Sequence, residues 1–203
     1  MRQADIMLES EADAWLERNR DKLGARDRVS EVIEEIRLLP TRVLEIGCAN
    51  GWRLAKLRDK YNCEVFGVEP SRQACIEAAA LRVPVAQSSA AVLPVPGIGM
   101  FDTIIYGFCL YLTDPADWLR IAAEADCLLK PGGALIIHDF YGTCSGFARR
   151  YEYRDGMRSY HYDFAHLWLG HPLYTMVTRR VYDGDEMVTV LKKLPISSIA
   201  VRP

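Results

Sequence analysis

Residues 43–54 read VLEIGCANGWRL. An apolar run closes on Gly47, a second glycine follows at Gly51, and a helical pattern resumes in WRLAKLRDKY. Strand, glycine turn and helix in that order form the opening unit of a doubly wound sheet. Ligands of such sheets bind at the carboxyl ends of the strands, where the strand order reverses. Small residues in the turn let a ligand approach the backbone, and glycine tolerates positive φ. A dinucleotide fingerprint, GxGxxG counted from Gly47, would need glycine where Ala49 and Trp52 stand. The turn therefore suits a nucleoside ligand without a pyrophosphate.

Downstream the same alternation continues. EVFGVEP reads as a second strand, SRQACIEAAALR as a helix capped by Ser71, VPVAQ as a weak third strand and FDTIIYG as a fourth, with Asp102 at its mouth. Asp114 is placed to cap a helix with Pro115 at its first position. That helix would bury Trp118, Ile121, Ala122, Ala125 and Leu128 and end at residues 130–133, before a fifth strand, ALIIHDF. Continuously apolar strands alternating with helices predict a parallel sheet covered on both faces. LYTMVTRRVYD and EMVTVLKKL, joined by DGDE, predict a terminal hairpin. Upstream, Ser10 is expected to cap a helix running to Gly24. A second is expected over 27–39, with Val29, Val32, Ile33, Ile36 and Leu39 on one face, ended by Pro40. Pro94, Pro96, Gly97 and Gly99 mark a loop. The expectation is one α/β Rossmann-like domain over 1–203, with a seven-stranded, mostly parallel sheet ending in an antiparallel hairpin. Residues 1–39 would form a helical cap and 139–172 an insertion covering the substrate.

Composition narrows the function. The chain has 203 residues, half of them apolar, and a formal charge of −2 without a basic tail. Such a balance does not predict a sequence-independent grip on nucleic acid. No apolar run is long enough to span a bilayer. The N-terminus is acidic by its fifth residue, unlike a signal peptide. Six scattered cysteines without a CxxC pair predict reduced thiols in a cytoplasmic protein. Oligomeric state does not follow from the sequence.

Glu69 closes the second strand about 20 residues after the glycine turn, where an acid accepts hydrogen bonds from both ribose hydroxyls. Alone it reads equally as a solvated strand-end carboxylate; beside the turn it reads as a ribose acceptor. VLEIGCANG, VFGVEPS, FDTIIYGFCLYLTDP and LLKPGGALIIHDF, in that order and followed by the hairpin, resemble the motifs of class I S-adenosylmethionine-dependent methyltransferases. The resemblance implies S-adenosylmethionine as cofactor. It implies that Glu45, Gly47 and Gly51 shape the methionine pocket and that Glu69 holds the ribose. Cys48, Asn50, Pro70 and Tyr106 are further cofactor-binding positions. In SSAAVLP, Ser89 stands where many relatives carry an acid that meets the adenine amine. Phe108 and Leu110 read as core packing.

Methyl transfer from a sulfonium is an in-line displacement for which the protein mainly positions and orients. A base is needed only when the nucleophile arrives protonated, as an alcohol does. All four histidines fall between His138 and His171. His138 and Asp139, leaving the fifth strand, are the first candidates for base and orienter. His161, Asp163 and His166 come second. Trp15, Tyr141, Arg158, Tyr160 and His166 are expected to meet substrate. Arg149, Arg150, Arg154 and Arg158, among tyrosines, read either as a grip on an anionic group or as a solvated loop face. His161, His166 and His171 recur every five residues, about 140° apart on a helix, so they share no face. HExxH is absent, and no metal is expected.

These features together predict methylation of a small polar molecule, a sugar or another metabolite, at oxygen in preference to nitrogen. An NAD(P)-binding oxidoreductase or redox sensor is an alternative, disfavoured by Ala49, Trp52 and the hairpin. A non-catalytic cofactor-binding interaction module is another. YGFCLY replaces the Asn/Asp-Pro-Pro-aromatic motif of base-amine methyltransferases, so a nucleic-acid substrate is not expected.

Overall fold

A computed structural model describes residues 2–93, 97, 99–183 and 185–198. Pro94, Pro96 and Gly184 lie outside them. The strands are β1 (Arg42–Ile46), β2 (Glu64–Glu69), β3 (Val85–Gln87), β4 (Phe101–Gly107), β5 (Leu129–Phe140), β6 (Phe147–Arg150), β7 (Arg158–His161), β8 (Tyr174–Tyr182) and β9 (Glu186–Lys193). Seven of them form one sheet in the order β3-β2-β1-β4-β5-β9-β8. β1 through β5 run parallel, and β9 and β8 close the sheet antiparallel. The order reverses between β1 and β4, which puts the crevice at the ends of those two strands.

The strands are apolar on both faces because both faces are covered. Leu44, Ile46, Ile104, Leu135 and Ile137 join one core with Ile121 and Ala125 of α6 (Trp118–Leu128). Val43, Ile105 and Ile136 join the other with α3 (Arg28–Glu35) and α4 (Trp52–Tyr61). α5 (Arg72–Ala80) follows β2, and its Ser71 cap accepts from the Ala74 amide at 3.0 Å.

Several local expectations are corrected. Ser10 caps nothing: α1 (Gln3–Ile6) begins earlier, and a π-helical turn (Met7–Glu11) carries it into α2 (Ala12–Asn19). That early start is anchored from outside, because the Asp114 carboxylate accepts from the Gln3 amide at 2.8 Å. Asp114 therefore caps α1 through its side chain. Pro115–Asp117 form a 3-10 turn, and α6 starts at Trp118, itself only half-buried. α3 stops at Glu35, Arg37 turns left-handed at φ 54°, and Leu39 is 77% exposed instead of packed. β5 begins at Leu129, before the Pro-Gly-Gly, in an irregular register against Phe101.

Between β5 and β8, β6 and β7 form a separate two-stranded hairpin, followed by the single turn α7 (His166–Leu169). The N-terminal helix spans from this hairpin to α5. At one end Gln3 bonds both the Arg158 amide (2.6 Å) and its carbonyl (3.1 Å). At the other, Asp13 accepts from Ser71 Oγ and the Gln73 amide, and Arg20 pairs with Glu77. The helix thus crosses the carboxyl ends of the strands. No helix among the described residues is long and apolar enough to cross a membrane.

Candidate active site

The floor of the crevice is glycine for steric reasons. Gly47 has φ 74°, and a Cβ there would lie 2.6 Å from the Cys109 Cβ and 3.0 Å from the Gly107 carbonyl. A Cβ on Gly107 would lie 2.7 Å from Glu45 Oε1. Glycine there lets the tips of β1 and β4 pack together, and both residues border the cavities above. Gly51 serves a different purpose: its Cβ would press on Ala78 and Val83, so glycine there seats α4 against α5. Asn50 also leaves the site, its amide donating to Glu77 at 3.3 Å.

Three contiguous cavities open above this floor. The first is bounded by Glu69, Pro70, Ser89, Phe108 and Leu112 and roofed by Ala4, Met7 and Trp15. The second, about 500 Å³, is bounded by Glu45, Cys48, Arg53, His138, Phe140 and Glu186 and lies under residues 22–26. These two share Trp15, Gly47, Ala49, Gly107 and Phe108. The third, about 350 Å³, lies under the β6–β7 hairpin and meets the second along Trp15, Asn19, Lys22, Tyr111 and Phe140.

Glu69 sits where the sequence puts it. One carboxylate oxygen accepts from the Ala49 amide (2.9 Å) and the other from the Ser71 amide (3.0 Å). Each keeps a lone pair for the first cavity. Burial pushes its pKa up to about 7, against the pull of those amides. Ser89 is buried, and its Oγ has no hydrogen-bond partner. Glycine backbone, a carboxylate with free lone pairs and an orphaned hydroxyl bordering one cavity fit a nucleoside cofactor. Cys48 lines the second cavity with a thiol that burial pushes well above its usual pKa, so it is inert.

Beneath the second cavity lies a charge cluster missed at the sequence level. Arg53 bonds Glu45 through Nη1 and Asp27 through Nε (2.9 Å), and Lys56 reaches Asp27 at 3.0 Å. Glu45, Asp27 and Arg53 are all buried. Burial raises Asp27, but Arg53, the Ser30 amide and Lys56 outweigh it and hold the carboxyl at about 2. Glu45 is raised: burial exceeds the pull of Arg53, and its Oε2 has no partner.

His138 and Asp139 do not form a pair. Successive strand side chains point to opposite faces. His138 enters the second cavity, buried, with both ring nitrogens free of hydrogen bonds. Glu186 Oε2 stands 3.6 Å from its Nε2, an ion-pair distance only. Burial lowers the His138 pKa and Glu186 resists, leaving the ring neutral at pH 7. Asp139 turns away and accepts from the amides of Leu110 (2.9 Å), Tyr111 (3.2 Å) and Phe140 (2.8 Å). Burial pushes it up to about 7 despite these bonds. It is a clamp on the 3-10 turn after β4. Replacing it by alanine should cost about 1–3 kcal/mol, because buried amides lose their acceptor. Urea unfolding measures this; an unchanged midpoint would rule out the clamp.

His161 lines the third cavity, not the second. It stacks between Phe140 and Phe147 and meets Ser159 Oγ at 3.1 Å. Trp15 borders all three cavities and donates to the Tyr111 hydroxyl at 3.0 Å. The structure places the remaining expected residues away from these cavities. Tyr106 is fully buried against Trp168 and bonds the Ile121 carbonyl. His166 pairs with Asp163, which Arg179 also holds, outside the cavities. Tyr141 is exposed, Tyr160 packs on Trp118, and Arg158 bonds Gln3 through its backbone. None of these five borders a described cavity. In their place stand Tyr111, Phe140 and Phe108, the last at φ 54° on the border of two cavities instead of in the core. Phe140 was readable in principle, two residues beyond His138 on the same strand face. Leu110 is core, as expected.

Residues 43–133 match the family model described as a methyltransferase domain. No curated protein matches the chain. Among solved structures, the chain is similar to the 1,6-didemethyltoxoflavin-N1-methyltransferase of Burkholderia thailandensis, crystallised with 1,6-didemethyltoxoflavin and S-adenosylhomocysteine. The two are 20% identical over 94% of this chain and 89% of that one, with a TM-score of 0.73. The N-methyltransferase NodS of Bradyrhizobium japonicum WM9 is 18% identical over 82% of this chain and 96% of that one, at a TM-score of 0.57. An O-methyltransferase family protein of Burkholderia thailandensis is 16% identical over 81% and 56%, at 0.62.

Proposed function

We propose that this chain, which matches a methyltransferase-domain model over residues 43–133 and shares its fold with methyltransferases of known structure, is a class I S-adenosylmethionine-dependent methyltransferase whose acceptor is a small polar molecule with an attacking atom that arrives protonated, a hydroxyl foremost. The observation that carries this reading is His138: a buried, neutral imidazole, both ring nitrogens unpaired, lining the cavity next to the glycine floor. A methyltransferase of a free amine needs no such base. Glu186, near Nε2, favours the proton on that nitrogen and leaves Nδ1 to take up the acceptor's proton.

Glu69 would hold the ribose through its two free lone pairs and Ser89 Oγ the edge of the adenine, with Pro70 beside them. Glu45 Oε2 and the cations Arg26 and Lys22 border the second cavity, where the amino-acid end would lie. When bound, the cofactor supplies an activated methyl group on a sulfonium. The segment 139–172 covers the acceptor, and the N-terminal helix roofs the cofactor.

Titration calorimetry with S-adenosylhomocysteine, with NADH in parallel, tests the cofactor assignment. The first should bind and the second should not. Glu69→Ala should weaken binding by about 1–3 kcal/mol through lost charge-assisted hydrogen bonds. The pH dependence has a definite sign. Hydroxyl donors favour the ionised carboxylate, so binding releases a proton near pH 7. Affinity should rise from pH 6 to 8, and Glu69→Gln should flatten the slope. Unchanged affinity in Glu69→Ala would sink the ribose assignment, and NADH binding would favour the redox alternative.

A further inference from the structure

We propose that the acceptor is a planar aromatic or heteroaromatic molecule of one or two fused rings, bearing a hydroxyl or ring N–H. This rests on the methyl-transfer reading above and names the substrate class for it. The third cavity, about 350 Å³, is at the small end of small-molecule sites. No aliphatic side chain borders it. Its lining is rich in rings: Trp15, Tyr111, Phe140, Tyr151, Tyr153 and the imidazole of His161.

The rings are held in place by one another. Phe140, His161 and Phe147 form a stack with centroids 4.8 and 4.7 Å apart and interplanar angles of 22° and 14°. Phe108 and Tyr111 each meet Phe140 edge-to-face at 4.9 Å. Two guanidinium groups fix further rings from one face, Arg18 over Tyr153 at 4.2 Å and Arg149 over Phe147 at 4.9 Å. Fixed planes of this kind favour a flat partner over a puckered one.

The polar groups argue the same way. A sugar site needs convergent donors and acceptors left free for hydroxyls. Here the buried polar atoms already satisfy each other. Ser159 bonds His161 (3.1 Å), the Tyr111 hydroxyl accepts from Trp15 (3.0 Å), and the Tyr151 hydroxyl is held by Glu11 (3.1 Å) and Arg18 (3.0 Å). Glu152 and Asp185, both exposed, share the lining with the cations Lys22 and Arg149. Unpaired polar atoms border the second cavity instead: Glu45 Oε2 and the ring nitrogens of His138, the latter across Phe140. A flat ring among these planes would present its hydroxyl or N–H there.

Four probes test this on the full-length protein: 7-hydroxycoumarin and 4-hydroxyquinoline as planar bicycles, 2-decalol as a saturated bicycle and methyl glucoside as a sugar. Coumarin fluorescence anisotropy reports the first directly and the others by competition, with and without saturating S-adenosylhomocysteine. At least one planar probe should bind about tenfold more tightly than both non-planar ones. Phe140→Leu, which keeps apolar bulk but removes the plane, should erase most of that difference. Equal binding of 2-decalol, preference for the glucoside, binding of none, or an undiminished preference in Phe140→Leu would each overturn the proposal. Failure of S-adenosylhomocysteine to bind folded protein would instead defeat the methyl-transfer reading. The ring preference of the cavity would still be measured without it.

Discussion

Replacing Arg53 with methionine is expected to destabilise the protein by about 3–5 kcal/mol, the largest stability effect we anticipate from a single substitution. The reason lies in what remains. Glu45 and Asp27 are buried and share this one guanidinium, and only Asp27 has a second cation, Lys56. Methionine fills the space but leaves Glu45 with no counter-ion. A lone buried carboxylate takes a proton to lose its charge. In the variant the Glu45 pKa should therefore rise further above that of the unfolded chain. The folded state then binds more protons than the unfolded one above pH 4.5, so the variant loses stability as pH rises. Urea unfolding at pH 5.5 and pH 8 should show a larger deficit at the higher pH. Glu45→Gln added to Arg53→Met should recover much of that deficit. A pH-independent deficit would mean that lost packing, not an orphaned charge, explains the effect. Because Glu45 and Gly107 are in contact across the cleft floor, cofactor affinity should fall as well.

His138→Ala should slow single-turnover methyl transfer by about 10²–10⁴-fold, the usual contribution of a positioned base. Cofactor affinity should change little, since the ring faces the acceptor side of its cavity near Phe140 and Glu186. The pH profile separates proton transfer from mere packing. Burial holds the His138 pKa below its ordinary value, so the rate should rise through a limb below pH 6.5 and level off by pH 7. Glu186 opposes that lowering. Glu186→Gln should therefore shift the limb to lower pH, a displacement that a structural histidine would not produce. Wild-type single-turnover rates in His138→Ala would remove it as the base and move the preference towards an amine acceptor.

The sequence by itself determined the sheet, its parallel order, the terminal hairpin, the glycine floor and the acid at the end of β2. Each of these is written in short-range terms. A strand buried on both faces is apolar throughout, Gly47 takes a positive φ that disfavours any side chain, and Glu69 lies at a constant offset from the turn. Side-chain direction at the strand ends was partly legible. The alternation of strand faces separates His138 from Asp139 and joins His138 to Phe140, but which face opens on the ligand depends on the layers packed above. Only the tertiary structure decided that Phe108, and not Tyr106, borders the first two cavities, because the chain turns left-handed at Phe108 just after β4. It also decided which rings of the insertion face inward. Their orientation follows from the docking of the β6–β7 hairpin on the N-terminal helix, through Gln3 with Arg158 and Glu11 with Tyr151, partners more than 130 residues apart. Contacts at that separation leave no periodicity in the chain, so Glu69 and Ser89 of the first cavity were readable and the ring lining of the third was not.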